Sequence, residues 1–245
     1  ARVATAATTR RPFAERLAMF WTNHFTVTVL KGTTRGLVGA FEREAIRPHV
    51  LGTFRDLLEA TAKSPAMLFY LDNWMSADPN GPHPDQMRPG LRRRLEGRRA
   101  AASRPEAAPR QQRLREQVAK RTAGLNENYG RELLELHTLG VDGGYTQRDV
   151  TEVARAFTGW TIDRPRAGGG FRFVPALHDD GEKIVLGHRI RAGGGARDGE
   201  EVLDILAAHP ATARFISLKL ARRFVSDDPP ASLVSRMADT FRKSG

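Results

Sequence analysis

Cysteine occurs at none of the 245 positions, which excludes a disulfide framework, a thiolate zinc site, an iron–sulfur cluster and any cysteine nucleophile. The absence does not fix a compartment. Runs of about 18 apolar residues are also missing, so no membrane span is expected. Neither G-x-S-x-G nor H-E-x-x-H occurs, there is no heptad array, and no internal repeat is visible, which removes support for the common hydrolase, zincin and coiled-coil readings. The glycine-rich stretches "AGGGF" and "AGGGARDG" match neither the Walker nor the Rossmann spacing and read as loops.

What is present is a globular composition with 40% apolar residues and a formal net charge of +11. That charge invites a nucleic-acid reading. Most of it is local. From Arg88 to Arg121, twelve basic residues face three acidic ones, a surplus of nine, so the rest of the chain is nearly neutral. The tract has few large apolar residues to anchor it and no aromatics to stack bases, and it reads as a solvated insertion rather than a nucleic-acid interface.

Helical periodicity runs from Pro12 to about Trp74 in four segments, separated by Gly32, Gly36, Gly52 and Pro65. A Pro/Gly/Asp loop at 75–90 leads into the basic tract, where at most a short helix over about 111–120 is expected. Order resumes near Gly124 with a helix opened at Leu125. Thr146 and Asp149 then form a capping-box start, with Gly159 as a stop. The stretch "GGGFRFVPALHDDGEKIVLGHRI" alternates Phe171 and Phe173 and turns at Asp180–Gly181, which predicts a β-hairpin. Three helices close the chain at 199–208, 211–224 and 231–243. The expected fold is mainly α: a multi-helix globular bundle with one small β-hairpin near 171–190. It is a single helical domain over 1–245, interrupted by a flexible Arg/Ala/Pro-rich insertion at about 76–121. The opening "ARVATAATTRRPF" has neither an initiator Met nor a signal-peptide core, and "MADTFRKSG" ends an amphipathic pattern, so both ends read as cut.

Two polar residues sit where apolar ones are expected. On a wheel phased on Leu125, Glu132 falls between Leu136 and Leu139 inside the apolar stripe, with Asn128 and Glu135 on its flank. Glu127 and Arg131 face away as an i, i+4 surface pair. On the first helix His24 lies among Phe13, Phe20 and Trp21, with Asn23 at the edge of that stripe. A buried carboxylate requires a cation, a metal, several donors or protonation. His24 and Glu132 are therefore placed opposite one another across one core, as an acid–base pair, as metal ligands or as a structural hydrogen bond. His137, near the end of its helix, reads as a cap that offsets the helix dipole. "HDDGEK" at 178–183 offers either a divalent-cation site or a base, His178, oriented by Asp179. Asp and Gly are equally what a turn prefers.

The blocks "ERLAMFWTNHF", "NENYGRELLELHTLGVDGGYTQRDVTEVARAFTGW", "HDDGEKIVLG" and "DGEEVLDILAAHPATARFISLKLARRFV", in that order, resemble the bacterial family catalogued as Domain of Unknown Function 1800. The resemblance runs from about Glu15 to Val225, excluding the basic tract. It implies a largely helical fold, a periplasmic or secreted location, and a sulfatase-like protein of Domain of Unknown Function 1501 as a partner. The family's first block usually reads Trp-His-Asn-His-Phe, whereas this chain has Trp21-Thr22-Asn23-His24-Phe25, so a role that needs both histidines is impaired here and one resting on His24 survives.

Two functions follow. One is an acid–base or metal-assisted hydrolase-like enzyme whose candidate residues are His24, Glu132, Asn128, Glu135 and Asn23. A divalent metal at His178 and Asp179 would be its cofactor. The other is a non-catalytic scaffold or accessory protein for the sulfatase-like partner.

Overall fold

The computed structural model describes residues 8–80, 124–164 and 169–245. The basic tract, and with it the expected short helix at 111–120, lies outside the described residues. Proline and short polar side chains start most of the helices. Helix α1 (Pro12–His24) carries Pro at its first position. Helix α2 (Val38–Phe41) continues through a π-turn at Glu42–Ile46 and a 3₁₀ turn at Arg47–His49. Helices α3 (Phe54–Ala62) and α4 (Pro65–Tyr70) follow, with the Thr53 hydroxyl accepting from the Asp56 N–H. These four occupy the four periodic segments of the sequence.

Helix α5 (Glu127–Glu132) is capped by the Asn126 side chain and runs on as a π-helix over Leu133–Thr138. Helix α6 (Gln147–Ala156) has the expected capping box, with the Thr146 hydroxyl on the Asp149 N–H and the Asp149 carboxylate on the Thr146 N–H. The two cross closely because residue 130 is glycine. A Cβ there would lie 2.9 Å from the Val150 carbonyl oxygen. Helices α7 (Ala196–Ala208), α8 (Pro210–Phe224) and α9 (Ala231–Ser244) close the chain, each within a few residues of its expected bounds.

The fold class is the expected one, mainly α with small antiparallel hairpins, but the strands pair differently from the expectation. β1 (Trp160–Ile162) pairs with β2 (Phe171–Phe173), and β3 (Lys183–Val185) pairs with β4 (His188–Ile190). Phe171 and Phe173 therefore turn back to the end of α6. The second hairpin turns at Leu186–Gly187, both with positive φ as a two-residue turn of this kind requires. The Asp180–Gly181 corner makes no hairpin because its backbone wraps an ammonium group, described below.

The buried apolar side chains form one contiguous cluster, from Leu17, Phe20, Trp21 and Phe25 of the first segment, through Leu133 and Leu134, to Leu203, Leu206 and Ile216. Helix α8 packs on both α9 and the π-helical end of α5. That contact brings three distant polar residues together.

Candidate functional site

His24 is the last residue of α1 and is 5% exposed. Its ring meets Trp21 and Phe25 edge-on, at centroid distances of 5.5 and 4.6 Å. Its Nε2 lies 3.0 Å from the backbone oxygen of His137, one of the carbonyls that the C-terminal turn of a helix leaves without an intrahelical partner. A carbonyl only accepts, so Nε2 carries the proton and Nδ1 holds the lone pair. The Lys219 ammonium, on α8, donates to that lone pair at 2.8 Å. The same ammonium stands 5.1 Å from the centre of the Phe215 ring. Among the described residues no carboxylate pairs with Lys219.

All three groups are pushed toward their neutral forms. Burial, then the Lys219 charge and His137, hold His24 well below the usual histidine range, and the hydrogen bond to the His137 carbonyl opposes them only in part. Burial and Lys219 push His137 down to about 3. Burial lowers Lys219 below the ordinary lysine value. A partly buried ammonium with no anion to offset the loss of its hydration favours release of its own proton.

Glu132 does not face this cluster. It is half-buried, Leu136 is 47% exposed, and among the described residues no hydrogen bond or ion pair reaches the Glu132 carboxylate. The wheel placed Glu132 inside because it was phased on Leu125, which precedes the N-cap Asn126, and because 100° per residue fails once the helix widens into a π-helix at Leu133. The face that is buried holds Tyr129, Gly130, Leu133, Leu134, His137 and Thr138. Partial burial and the neighbouring Glu135 raise the Glu132 carboxyl above its usual range. Glu135 accepts from the Tyr145 hydroxyl at 3.2 Å. The Asn128 side chain reaches the Leu71 carbonyl at 3.4 Å. Asn23 is exposed, with its backbone oxygen taken by the Thr26 hydroxyl. His137 is not a solvated cap: its ring is buried and neutral, so it does not offset the helix dipole. Glu127 and Arg131 do pair on the surface, at 3.7 Å.

The "HDDGEK" corner forms a second polar cluster, and it is crowded. His178 Nδ1 lies 2.8 Å from the Thr158 carbonyl and Nε2 lies 3.2 Å from the Asp198 carboxylate. Asp179 is held by two nitrogens of Arg155, at 2.7 and 3.0 Å, and by the Gly181 N–H, which keeps it below the usual carboxylate range despite burial. Lys183 is 1% exposed and has three acceptors: the backbone oxygens of Asp179 and Gly181 at 2.5 and 2.8 Å and the Asp198 carboxylate at 2.6 Å. The donor atoms a metal would need at His178 and Asp179 are thus already engaged by protein groups. No group of three or more His, Asp or Glu among the described residues is placed to hold a metal ion.

Over residues 1–245 the chain matches the family model described as Protein of unknown function (DUF1800). The chain belongs to this family. No curated protein and no solved structure matches it. The four sequence blocks that carry the resemblance divide between the two clusters. The first carries His24, the second His137, and the fourth both Asp198 and Lys219, while the third supplies His178 and Lys183. Thr22 turns its hydroxyl onto the Ala18 carbonyl at 2.7 Å.

Sequence reasoning missed both lysines. Lys183 alternates with Val185 and therefore shares its inward face, but the apolar run drew attention to Ile184, which is 39% exposed. Lys219 lies one helical turn from both Phe215 and Ile216, a spacing that would have flagged a cation on the packed face of α8.

Proposed function

We propose that the protein is an acid–base, hydrolase-like enzyme whose centre is Lys219 and His24, with His137 as the residue that positions His24. The observation that carries this reading is the 2.8 Å contact of the Lys219 ammonium with the His24 Nδ1 lone pair, without a carboxylate partner. With Nε2–H anchored on a backbone carbonyl, His24 keeps one orientation and one tautomer. A lysine depressed by burial serves as a general base, or as a nucleophile toward an acyl group, at a pH where an exposed lysine is charged. Glu132, Asn128 and Glu135 have no part in this centre, and no metal is required by it.

The test is turnover of p-nitrophenyl esters by the wild type and by Lys219→Met and His24→Gln, with melting temperatures recorded in parallel. Loss of hydrolysis by both variants, with the fold intact, supports the reading. Unchanged hydrolysis in Lys219→Met sinks it.

The alternative is an accessory protein for a sulfatase-like partner in the periplasm or outside the cell, which rests on family company alone. Co-purification from the native host with His24 and Lys219 both replaced would separate it from the enzymatic reading.

A further inference from the structure

A groove of about 690 Å³ runs along the outer side of α1's last turns, between the loop that follows α1 and the start of α2, with α8 at one rim. That volume lies within the usual range for small-molecule sites, about 300–1,000 Å³. Three apolar side chains line its inner wall, Phe20, Val27 and Phe41, each no more than 9% exposed. Thr22 and Asn23 line it beside them, and Arg223 of α8 closes it.

The charges at the rim are one-sided. Arg223 is exposed, and among the described residues it makes no ion pair. It lies one helical turn beyond Lys219, so both cations project from the same side of α8 toward the end of α1. Like charges at this spacing repel. Here neither meets a carboxylate, whereas the partly buried Arg47 and Arg155 do: Arg47 takes Glu15 and Glu42, and Arg155 takes Asp179 and Glu152. The Asn23 side chain makes no hydrogen bond among the described residues either. An uncommitted guanidinium and an uncommitted carboxamide thus share the mouth of a groove with an apolar wall.

The geometry points to a binding site for an organic carboxylate with an apolar body, its carboxylate on Arg223 and Asn23 and its chain against Phe20, Val27 and Phe41. A guanidinium presents parallel N–H donors that match the two oxygens of a carboxylate. The apolar wall gives the remainder of the ligand a surface that a simple ion does not use. The inference stands whether or not Lys219 and His24 perform acid–base chemistry, because it concerns a different set of contacts.

Isothermal titration calorimetry of the whole chain with octanoate, 1-octanol and acetate tests it. Octanoate should bind, octanol should bind about tenfold more weakly or worse for want of the charge, and acetate should give no measurable heat. Arg223→Gln should weaken octanoate by about tenfold or more while leaving octanol unchanged. Lys219→Met should leave octanoate binding largely intact even where it ends ester hydrolysis, so failure of the site and failure of the proposed catalysis are read separately. Absence of octanoate binding, equal affinity for octanoate and octanol, acetate binding as tight as octanoate, or an Arg223→Gln variant that binds octanoate normally would each overturn the site.

Discussion

Lys183 and Lys219 are both drawn out of solvent, and they meet opposite surroundings. Lys183 is enclosed completely, and its ammonium has three acceptors including the carboxylate of Asp198. Lys219 is half-buried with one neutral imidazole nitrogen and an aromatic face. The first arrangement cancels charge and closes a corner of the fold, tying the third sequence block to the start of α7. The second leaves charge uncancelled and is held in place by the rest of the core. Burial alone therefore does not mark a functional group. A buried cation with every proton bonded and a counter-charge is a structural device, while one lacking an anion stores a tendency to react or to bind.

One substitution made at both sites sharpens the contrast most. Lys183→Met leaves the Asp198 carboxylate buried without its cation, and urea denaturation should show a loss of about 3–5 kcal/mol. Lys219→Met removes a cation that has no carboxylate, so the same measurement should move by less than about 1 kcal/mol. Equal losses at the two positions would erase the distinction.

Acid should act next most strongly, through the histidines of the Lys219 cluster. His24 and His137 are neutral in the fold, with values below the ordinary histidine value of about 6.5. Unfolding frees both to take up protons. Their contribution to stability is therefore complete above about pH 6.5 and is lost as the pH falls toward the folded-state value, about 3 for His137. Between pH 7 and pH 5 His137 alone should cost about 2 kcal/mol, His24 acts in the same direction, and His137→Gln should flatten that slope in denaturation curves at the two pH values. An unchanged slope in the variant would place the acid sensitivity elsewhere.

Arg155→Gln should cost about 1 kcal/mol or slightly more in thermal melts. It strips two donors from Asp179 but leaves the Gly181 N–H in place. The smallest effect belongs to Glu132→Gln, expected within about 0.5 kcal/mol and without consequence for ester hydrolysis. A large loss from that substitution would return Glu132 to the core.

Much of the fold was legible because it depends on local chemistry. Pro12, Pro65 and Pro210 mark helix starts, and Thr146 with Asp149 forms the cap that its spacing announces. The site was half legible. His24 stands out on its helix as a polar residue among aromatics, and it does belong to the central cluster. Its partners were misassigned, because the angular position of Glu132 assumed a uniform α-helix and the chain changes pitch at Leu133. The widened turn accompanies the burial of His137, whose carbonyl accepts the hydrogen bond from the His24 Nε2–H.

The sequence by itself determined the mainly helical class, the helix starts, the capping box and the surface pairing of Glu127 with Arg131, since each depends on residues within about one turn of one another. Only the tertiary structure decided that His24 faces Lys219 rather than Glu132, and that "HDDGEK" encloses a lysine rather than offering open metal ligands. Those outcomes join residues as far apart as 195 positions along the chain. Such contacts follow from how α1, α5 and α8 pack, and no local periodicity encodes that packing.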